Sequence, residues 1–396
     1  MTGEVGQSEY PSLAAAECPY PLLEALRAGG AVYKVPDRDE YLVSRHEEIA
    51  YATRHPEIFS SATPLNAEAQ VGWEASVFSC DPPEHTVKRS IAFQSFNPRR
   101  LREYEPMIRG VIDDLIDGFI DDGEVEFVQG FSNRVSSRVM FNLLGLREED
   151  AGWIADITFE GVGARYLPAD MREQAERDGE RVNEFMTAVV RERAENLGGD
   201  VISELIRAHT ERDGEVNMAY IAVESAVLVL GGTLTPAHMM SSAMLLLLQH
   251  PDQAALVRAD YSLIPRMLEE ALRVEAPDQF MPRYTTVDTT LGGVDIPAGS
   301  LVMLLYASGN RDESVFGEPE SFEVRRENVK KHFSFGSGIH FCLGAPLARL
   351  IGTRAYEALF TRLGDIRLAE GRNDFTHLAS TFNRAPNAVH IEFDPA

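Results

Sequence analysis

The chain has 396 residues, 44% of them hydrophobic, enough to bury one large core or two or three ordinary ones. Lys plus Arg number 37 against 62 Asp plus Glu, a formal charge of −25, so the chain as a whole repels nucleic acid and anionic membrane, and a polyanionic partner needs a local basic patch. Three scattered cysteines, Cys18, Cys80 and Cys342, exclude a disulfide framework or a multi-cysteine metal site and point to a reducing cytoplasm.

Residues 1–20 lack a cationic start followed by an apolar run, so no signal peptide is expected. An amphipathic helix is expected over 19–28, ended by Gly29 and Gly30. Two strands, 31–34 and 41–44, follow around a turn at 36–39. Residues 61–80 have no clear period yet hold Trp73, Val77 and Phe78, and an apolar, irregular loop of that length is more often functional than idle. Asp81-Pro82-Pro83-Glu84 reads as a helix start capped by Asp81. It puts His85 and Arg89 on one helical face, able to grip an anion. Helical signal continues over 101–210, with breaks at 121–123, Gly145 and 198–199 and a loop over 161–170 holding Arg165, Tyr166 and Pro168. No repeat, linker or low-complexity tract is present, so 1–396 is expected to be one continuous domain.

Residues 217–249 form one long helical pattern, apolar over most of its circumference, as expected of a helix buried through the centre of the molecule. No stretch reaches the ~18 apolar residues of a membrane span; the run 243–248 meets Gln249 and His250 at once. In the middle of the long pattern sits Gly231-Gly232-Thr233-Leu234-Thr235-Pro236. Pro236 offers no amide proton to the carbonyl of Gly232, which predicts a kink or opening at a cost of ~3 kcal/mol. Glu270 and Arg273 lie one turn apart and can form a buried, bidentate pair. From 279 to 305, alternation and turns predict a small antiparallel sheet. The run 333–349 places Cys342 among Gly336, Gly338 and Gly344, which let the backbone turn tightly and approach a flat ligand closely. That geometry suits a single axial thiolate whose charge is stabilised by converging amides.

Phe335, Gly338, His340, Cys342 and Gly344 fall at the positions of the haem loop of the cytochromes P450, which this stretch resembles. The resemblance implies haem b, iron protoporphyrin IX, with Cys342 as the metal ligand. By the same resemblance His85, Arg89, Arg283 and His340 hold its propionates. Gly231, Gly232 and Thr235 match the family's distal groove, but Leu234 stands where an acid belongs and Pro236 replaces a second threonine. The proton route then needs another carrier: a water ordered by the Gly232 carbonyl with Thr233 and Thr235, a proton from the substrate, or chemistry that needs none. His238 is close in sequence, although a helix-face histidine is more often packed than catalytic. Glu270 and Arg273 match a structural pair that supports the haem loop, and 310–312, 319–322 and Arg326 the meander before it, with Ser321 in place of a more usual arginine that loosens it.

The implied fold is mainly α with small antiparallel β-sheets, an α+β arrangement with the long central helix over the haem. The implied activity is insertion of one oxygen atom from O2 into a mostly apolar small molecule, by hydroxylation or epoxidation. Candidate pocket walls are Trp73, Val77, Phe78, Val227, Leu230, Leu234, Gln279, Phe280 and Phe382, with Gln279 orienting the substrate and 161–170 as a mobile roof. Electrons are expected from a ferredoxin and its reductase, docking on a basic patch of Lys88, Arg99, Arg100, Arg102, Lys330, Lys331 and Arg349 on a protein expected to be a soluble, cytoplasmic monomer. Two other readings stay open: a haem-thiolate enzyme that is peroxide-driven, coupling, nitrating or desaturating, favoured by Leu234, and a protein that binds haem without turnover.

Overall fold

A computed structural model describes residues 10–62, 76–157, 161–214 and 217–394. Most of them are helical, and the largest apolar cluster forms around the helix Met218–Gln249. That helix starts where Asn217 caps it, its side chain accepting from the amide of Tyr220 at 3.0 Å, and stops at His250, just before Pro251 opens the next helix. Its surroundings are the helices Asn133–Leu144, Ala169–Glu195, Ile264–Val274 and Ala345–Arg362, which explains why its apolar residues cover the whole circumference. By length and composition it could cross a membrane, but here it is a packed core helix.

Pro236 does not interrupt it. The α-helix runs unbroken from Met218 to Gln249, against the expectation of an opening at the Gly232 carbonyl. Gly231 and Gly232, 100° apart around the helix, serve different sides. A Cβ on Gly232 would lie 2.4 Å from Sδ of Met140 on the helix Asn133–Leu144, so the glycine is what lets these helices close, whereas a Cβ on Gly231 would meet nothing within 4 Å.

The strands are β1 Val32–Lys34, β2 Glu40–Val43, β3 Phe59–Ser60, β4 Glu124–Glu126, β5 Met281–Thr285, β6 Thr289–Leu291, β7 Val294–Ile296, β8 Leu301–Leu304, β9 Arg367–Leu368 and β10 His390–Glu392. The main sheet has the order β1-β2-β8-β5-β3. Its expected all-antiparallel character is corrected at one seam: β2 and β8 run parallel, with Glu40 opposite Leu301 and Val43 opposite Leu304. All four residues of each strand are buried, as a central parallel pair requires. A second sheet, β4-β10-β9, and the hairpin β6-β7 complete the set.

One buried polar node fixes the later loops. Arg273 donates from Nε and Nη2 to both oxygens of Glu270, each at 2.8 Å, with both side chains fully buried. Its remaining donors reach the carbonyls of Asn310, Pro319 and Ser321 at 3.0, 2.7 and 2.8 Å. Ser321 therefore does not loosen the meander. Arg326 supplies the guanidinium missing at position 321, its Nε donating to Glu270 at 2.9 Å while its Nη2 donates to the Ser321 carbonyl. Asn310 passes the order on to the cysteine loop, accepting from the amide of Phe333 at 2.6 Å and donating to the hydroxyl of Ser334 at 2.9 Å.

Candidate active site

Cys342 closes a turn in which its own amide donates to the carbonyl of Phe335 at 2.7 Å. Gly336 and Gly338 both take positive φ, +65° and +68°, and a Cβ on Gly338 would lie 2.0 Å from the carbonyl oxygen of Thr53, so only glycine fits there. Gly344 does not share that need: its φ is −80°, and a Cβ would stand in ordinary contact with the sulfur at 3.9 Å. The helix Ala345–Arg362 starts directly after it, the Ala345 amide donates to the Cys342 carbonyl at 3.4 Å, and the amides of Gly344 and Ala345 favour the charged form of the sulfur. Tyr356 on the same helix donates to the carbonyl of Met240 at 2.7 Å, which fastens the cysteine loop to the central helix.

Cys342 is an exposed residue, yet enough protein surrounds its sulfur that burial pushes the thiol up, against the two amides and Arg89, which pull it down. Exposure and desolvation together describe a thiol facing an interior space.

Four basic side chains gather beside it. The rings of His85 and His340 lie 4.4 Å apart, and in each Nε2 is buried without a partner. Arg89 donates to the carbonyl of Phe341 and Arg283 to that of Pro282. Among the described residues neither arginine has a carboxylate partner. Burial first, and then the charges of Arg283, His85 and Arg89, push His340 down to about 2. Burial and Arg89 likewise lower His85, with Asp81 opposing. A group of donors that repel one another and leave two buried nitrogens unsatisfied needs an anion. Together with the thiol this arrangement fits a haem, with the sulfur on its metal and the donors on its carboxylates. Asp81 does not cap the helix Glu84–Ala92; its carboxylate is taken by the hydroxyl of Ser60 and the amide of Ser61.

Away from its two ends, the central helix is not fully buried at Val227, Leu228, Gly231, Gly232, Leu234 and Thr235; Gly232 abuts Met140, and the other five share one stripe. Thr235 belongs to it, its hydroxyl donating to the Gly231 carbonyl at 2.8 Å. Thr233 does not. It is buried on the far side and donates to the Val229 carbonyl at 2.7 Å, so no water can be shared between its hydroxyl and the stripe. Leu230 and Phe280 are core residues, and Gln279 spends its amide donor on the carbonyl of Ala276 at 2.6 Å rather than pointing it outward. Phe382 packs its ring 5.4 Å from that of Phe280, Val77 is half-buried, Phe78 is exposed, and Trp73 lies outside the described residues. His238 is packed and neutral, pushed down to about 4 by burial.

The roof segment is tied down at Gly161–Tyr166: Arg165 pairs with the buried Glu40 at 2.8 Å, the Tyr166 hydroxyl donates to the same carboxylate at 2.9 Å, and Thr381 donates to the Gly163 carbonyl at 3.0 Å. The basic patch is largely neutralised. Lys88 pairs with Glu84, Arg99 with Glu103, Arg100 with Glu103 and Glu204, and Arg349 is held bidentate on Glu269 at 2.6 and 2.9 Å, leaving Arg102, Lys330 and Lys331 exposed.

Two acids escaped the reading of the sequence. Glu224 is the one carboxylate of the central helix, 1% exposed, accepting from the amide of Val77 at 3.1 Å. Its isolation in an apolar helix was a visible signal. Asp278, beside Gln279, had none.

The family model described as Cytochrome P450 matches residues 156–353. The 6-deoxyerythronolide B hydroxylase of Saccharopolyspora erythraea is 35% identical over 314 residues, 79% of this chain and 77% of that one. The vitamin D(3) 25-hydroxylase of Pseudonocardia autotrophica is 30% identical over 385 residues, 95% and 94% of the two. CYP109E1 from Bacillus megaterium, solved in complex with testosterone, superimposes with a TM-score of 0.88 at 25% identity, covering 96% of this chain and 99% of that one. With sequence and fold in agreement over nearly the whole length, the chain belongs to the cytochrome P450 family of haem b monooxygenases.

Proposed function

We propose that the chain, as one continuous domain, inserts one oxygen atom from O2 into a mostly apolar small molecule, by hydroxylation or epoxidation, with electrons from a ferredoxin and its reductase. The observation that carries this reading is the desolvated sulfur of the exposed residue Cys342 between two amides and an uncompensated group of four basic side chains. Cys342 holds the haem iron, and His85, Arg89, Arg283 and His340 hold the two carboxylates, which removes the cost of four basic groups facing one another. Haem bound through a thiolate activates dioxygen and oxidises unactivated C–H bonds.

The protein's own share is positional. The amides of Gly344 and Ala345 and the N-terminus of their helix stabilise the negative sulfur. Gly231, whose missing side chain leaves the stripe open, and Val227 and Leu234 beside it present an apolar face to the substrate, with Phe382 on another wall. Thr235 holds its hydroxyl in the groove and orients a water there by accepting from it, since its own proton is engaged with Gly231. The names of two relatives, hydroxylases of 6-deoxyerythronolide B and of vitamin D(3), support an apolar substrate of that size class. A cytoplasmic monomer suits the acidic chain.

The reduced, carbon monoxide-bound absorption spectrum tests the ligand: the thiolate signature is expected in the native protein and lost in Cys342→Ala, and an unchanged spectrum in that variant overturns the assignment. A second reading, an enzyme driven by peroxide or catalysing coupling, nitration or desaturation, is favoured by Leu234 and by Thr233 facing away from the groove. Labelled dioxygen with reductase partners, set against hydrogen peroxide alone, separates the two.

A further inference from the structure

Within 276–280, Asp278 alone is not buried, although Ala276, Pro277, Gln279 and Phe280 around it are. The opposite strand-like segment is equally closed: Ser380, Thr381, Phe382, Asn383 and Arg384 are all buried. The two segments are zipped together by an antiparallel bridge between Asp278 and Asn383, by the Gln279 amide on the Phe382 carbonyl at 2.9 Å, and by the Arg384 amide on the Pro277 carbonyl at 2.9 Å. The side chain of Asn383 donates to Oδ1 of Asp278 at 2.8 Å. Among the described residues, Oδ2 of Asp278 accepts nothing.

This carboxyl lies within electrostatic reach of Cys342. Its charge acts on the Cys342 sulfur and on Tyr306, which in turn is hydrogen-bonded to Arg283. The surrounding protein pushes the carboxyl up to about 7, with only the Asn383 amide opposing. It is therefore accessible and desolvated at once, like Cys342, and its neighbours Phe280 and Phe382 are apolar. A half-satisfied carboxyl on an apolar wall costs stability unless a ligand completes it. A cation completes it best, because it pays the desolvation of the carboxylate with a full opposite charge, and the chain's net −25 draws cations toward it.

We propose that Asp278, held by Asn383, binds a protonated amine on an otherwise apolar substrate and so presents the hydrocarbon part, not the nitrogen, to the haem carried by Cys342. This rests on the haem-thiolate reading and goes beyond it by naming the substrate class. The other described wall residues offer no charge to match it: Val227, Leu234 and Phe382 are apolar, and the acceptor left on Gln279, Oε1, is neutral and belongs to a buried side chain.

The test is a spectral titration of the haem-loaded protein with a panel of tertiary amines bearing alkyl or phenylalkyl tails of graded length, each beside its hydrocarbon isostere with carbon in place of nitrogen. Nitrogen held at Asp278 gives the blue shift of water leaving the iron; nitrogen on the iron gives a red shift. The expected result is a blue shift for at least one amine, bound about tenfold or more tighter than its isostere. Asp278→Asn should remove the preference or turn the shift red, Asn383→Ala should weaken it, and both variants should keep the thiolate spectrum. No amine bound across the panel, no preference over the isosteres, or a preference that survives Asp278→Asn overturns the inference. Absence of the thiolate spectrum in the native protein overturns the haem-thiolate reading as well, so the two failures are told apart.

Discussion

At the scale of single residues, the site is governed by charges that the fold leaves uncompensated until a ligand arrives. Arg283 lacks a carboxylate partner among the described residues, and its charge is one reason His340 is held down to about 2. Arg283→Gln should leave the haem with one charge-assisted contact fewer and speed its loss to apomyoglobin by on the order of tenfold. An unchanged transfer rate removes Arg283 from the carboxylate site. Glu224 poses the opposite problem, an acid under a closed lid of protein. Burial lifts it from 4.5 to about 7, against the Val77 amide, Lys88 and Tyr220, which pull it down. Between those pH values the folded chain keeps a proton that the unfolded chain has lost, so this residue stabilises the fold at low pH and the contribution vanishes as pH rises through about 7. Glu224→Gln cannot ionise and should match the native protein near pH 5 but exceed it near pH 8 by roughly 1–3 kcal/mol. A melting-temperature difference that is the same at both pH values contradicts this. The partners of such residues show why sequence missed them. Asp278 meets Asn383 and Glu224 meets Val77 only after more than a hundred intervening residues have folded, and no local pattern announces that.

At the scale of elements, periodicity was a sound guide to where the central helix begins and ends, and a poor one to what its middle does. The apolar period was legible because it is local, and the structure adds the Asn217 cap at its start. The motif positions 231–235 look equivalent along the chain, but 100° per residue puts Thr235 and Gly231 on the open stripe while Thr233 and Gly232 face packed neighbours. This gives a paired prediction. Gly231→Ala meets nothing within 4 Å and gains helix propensity, so thermal stability should hold or rise by up to about 1 kcal/mol while substrate-induced spectral shifts change. Gly232→Ala drives a methyl group into buried Met140 and should cost about 1–3 kcal/mol. Equal melting temperatures for the two variants defeat the assignment of sides.

For the whole molecule, the short-range parts of the fold could be read, namely the helices, the hairpin of β1 with β2 and the cysteine loop. The parallel pairing of β2 with β8 could not, since the register joins Glu40 to Leu301 across most of the chain. The Glu270–Arg273 pair was legible as a motif, but its reach was not: it unites Asn310, Pro319, Ser321 and Arg326, and through Asn310 the cysteine loop. That reach decides how the molecule should respond to damage. In an isolated buried ion pair, deleting one partner is costly because it strands the other, and deleting both removes most of the penalty. Here Glu270→Ala strands two buried guanidinium groups, Arg273 and Arg326, and should cost about 3–5 kcal/mol in denaturant unfolding. Arg273→Met should cost a similar amount for a different reason, leaving the carbonyls of Asn310 and Pro319 without their donor and that of Ser321 with Arg326 alone. The double variant should therefore remain as unstable as either single one and lose haem on purification, since the Asn310 carbonyl then loses the Arg273 donor that ties this residue, and through it the amide of Phe333, to the node. Recovery of stability in the double variant would reduce the node to a simple ion pair and detach it from the cysteine loop.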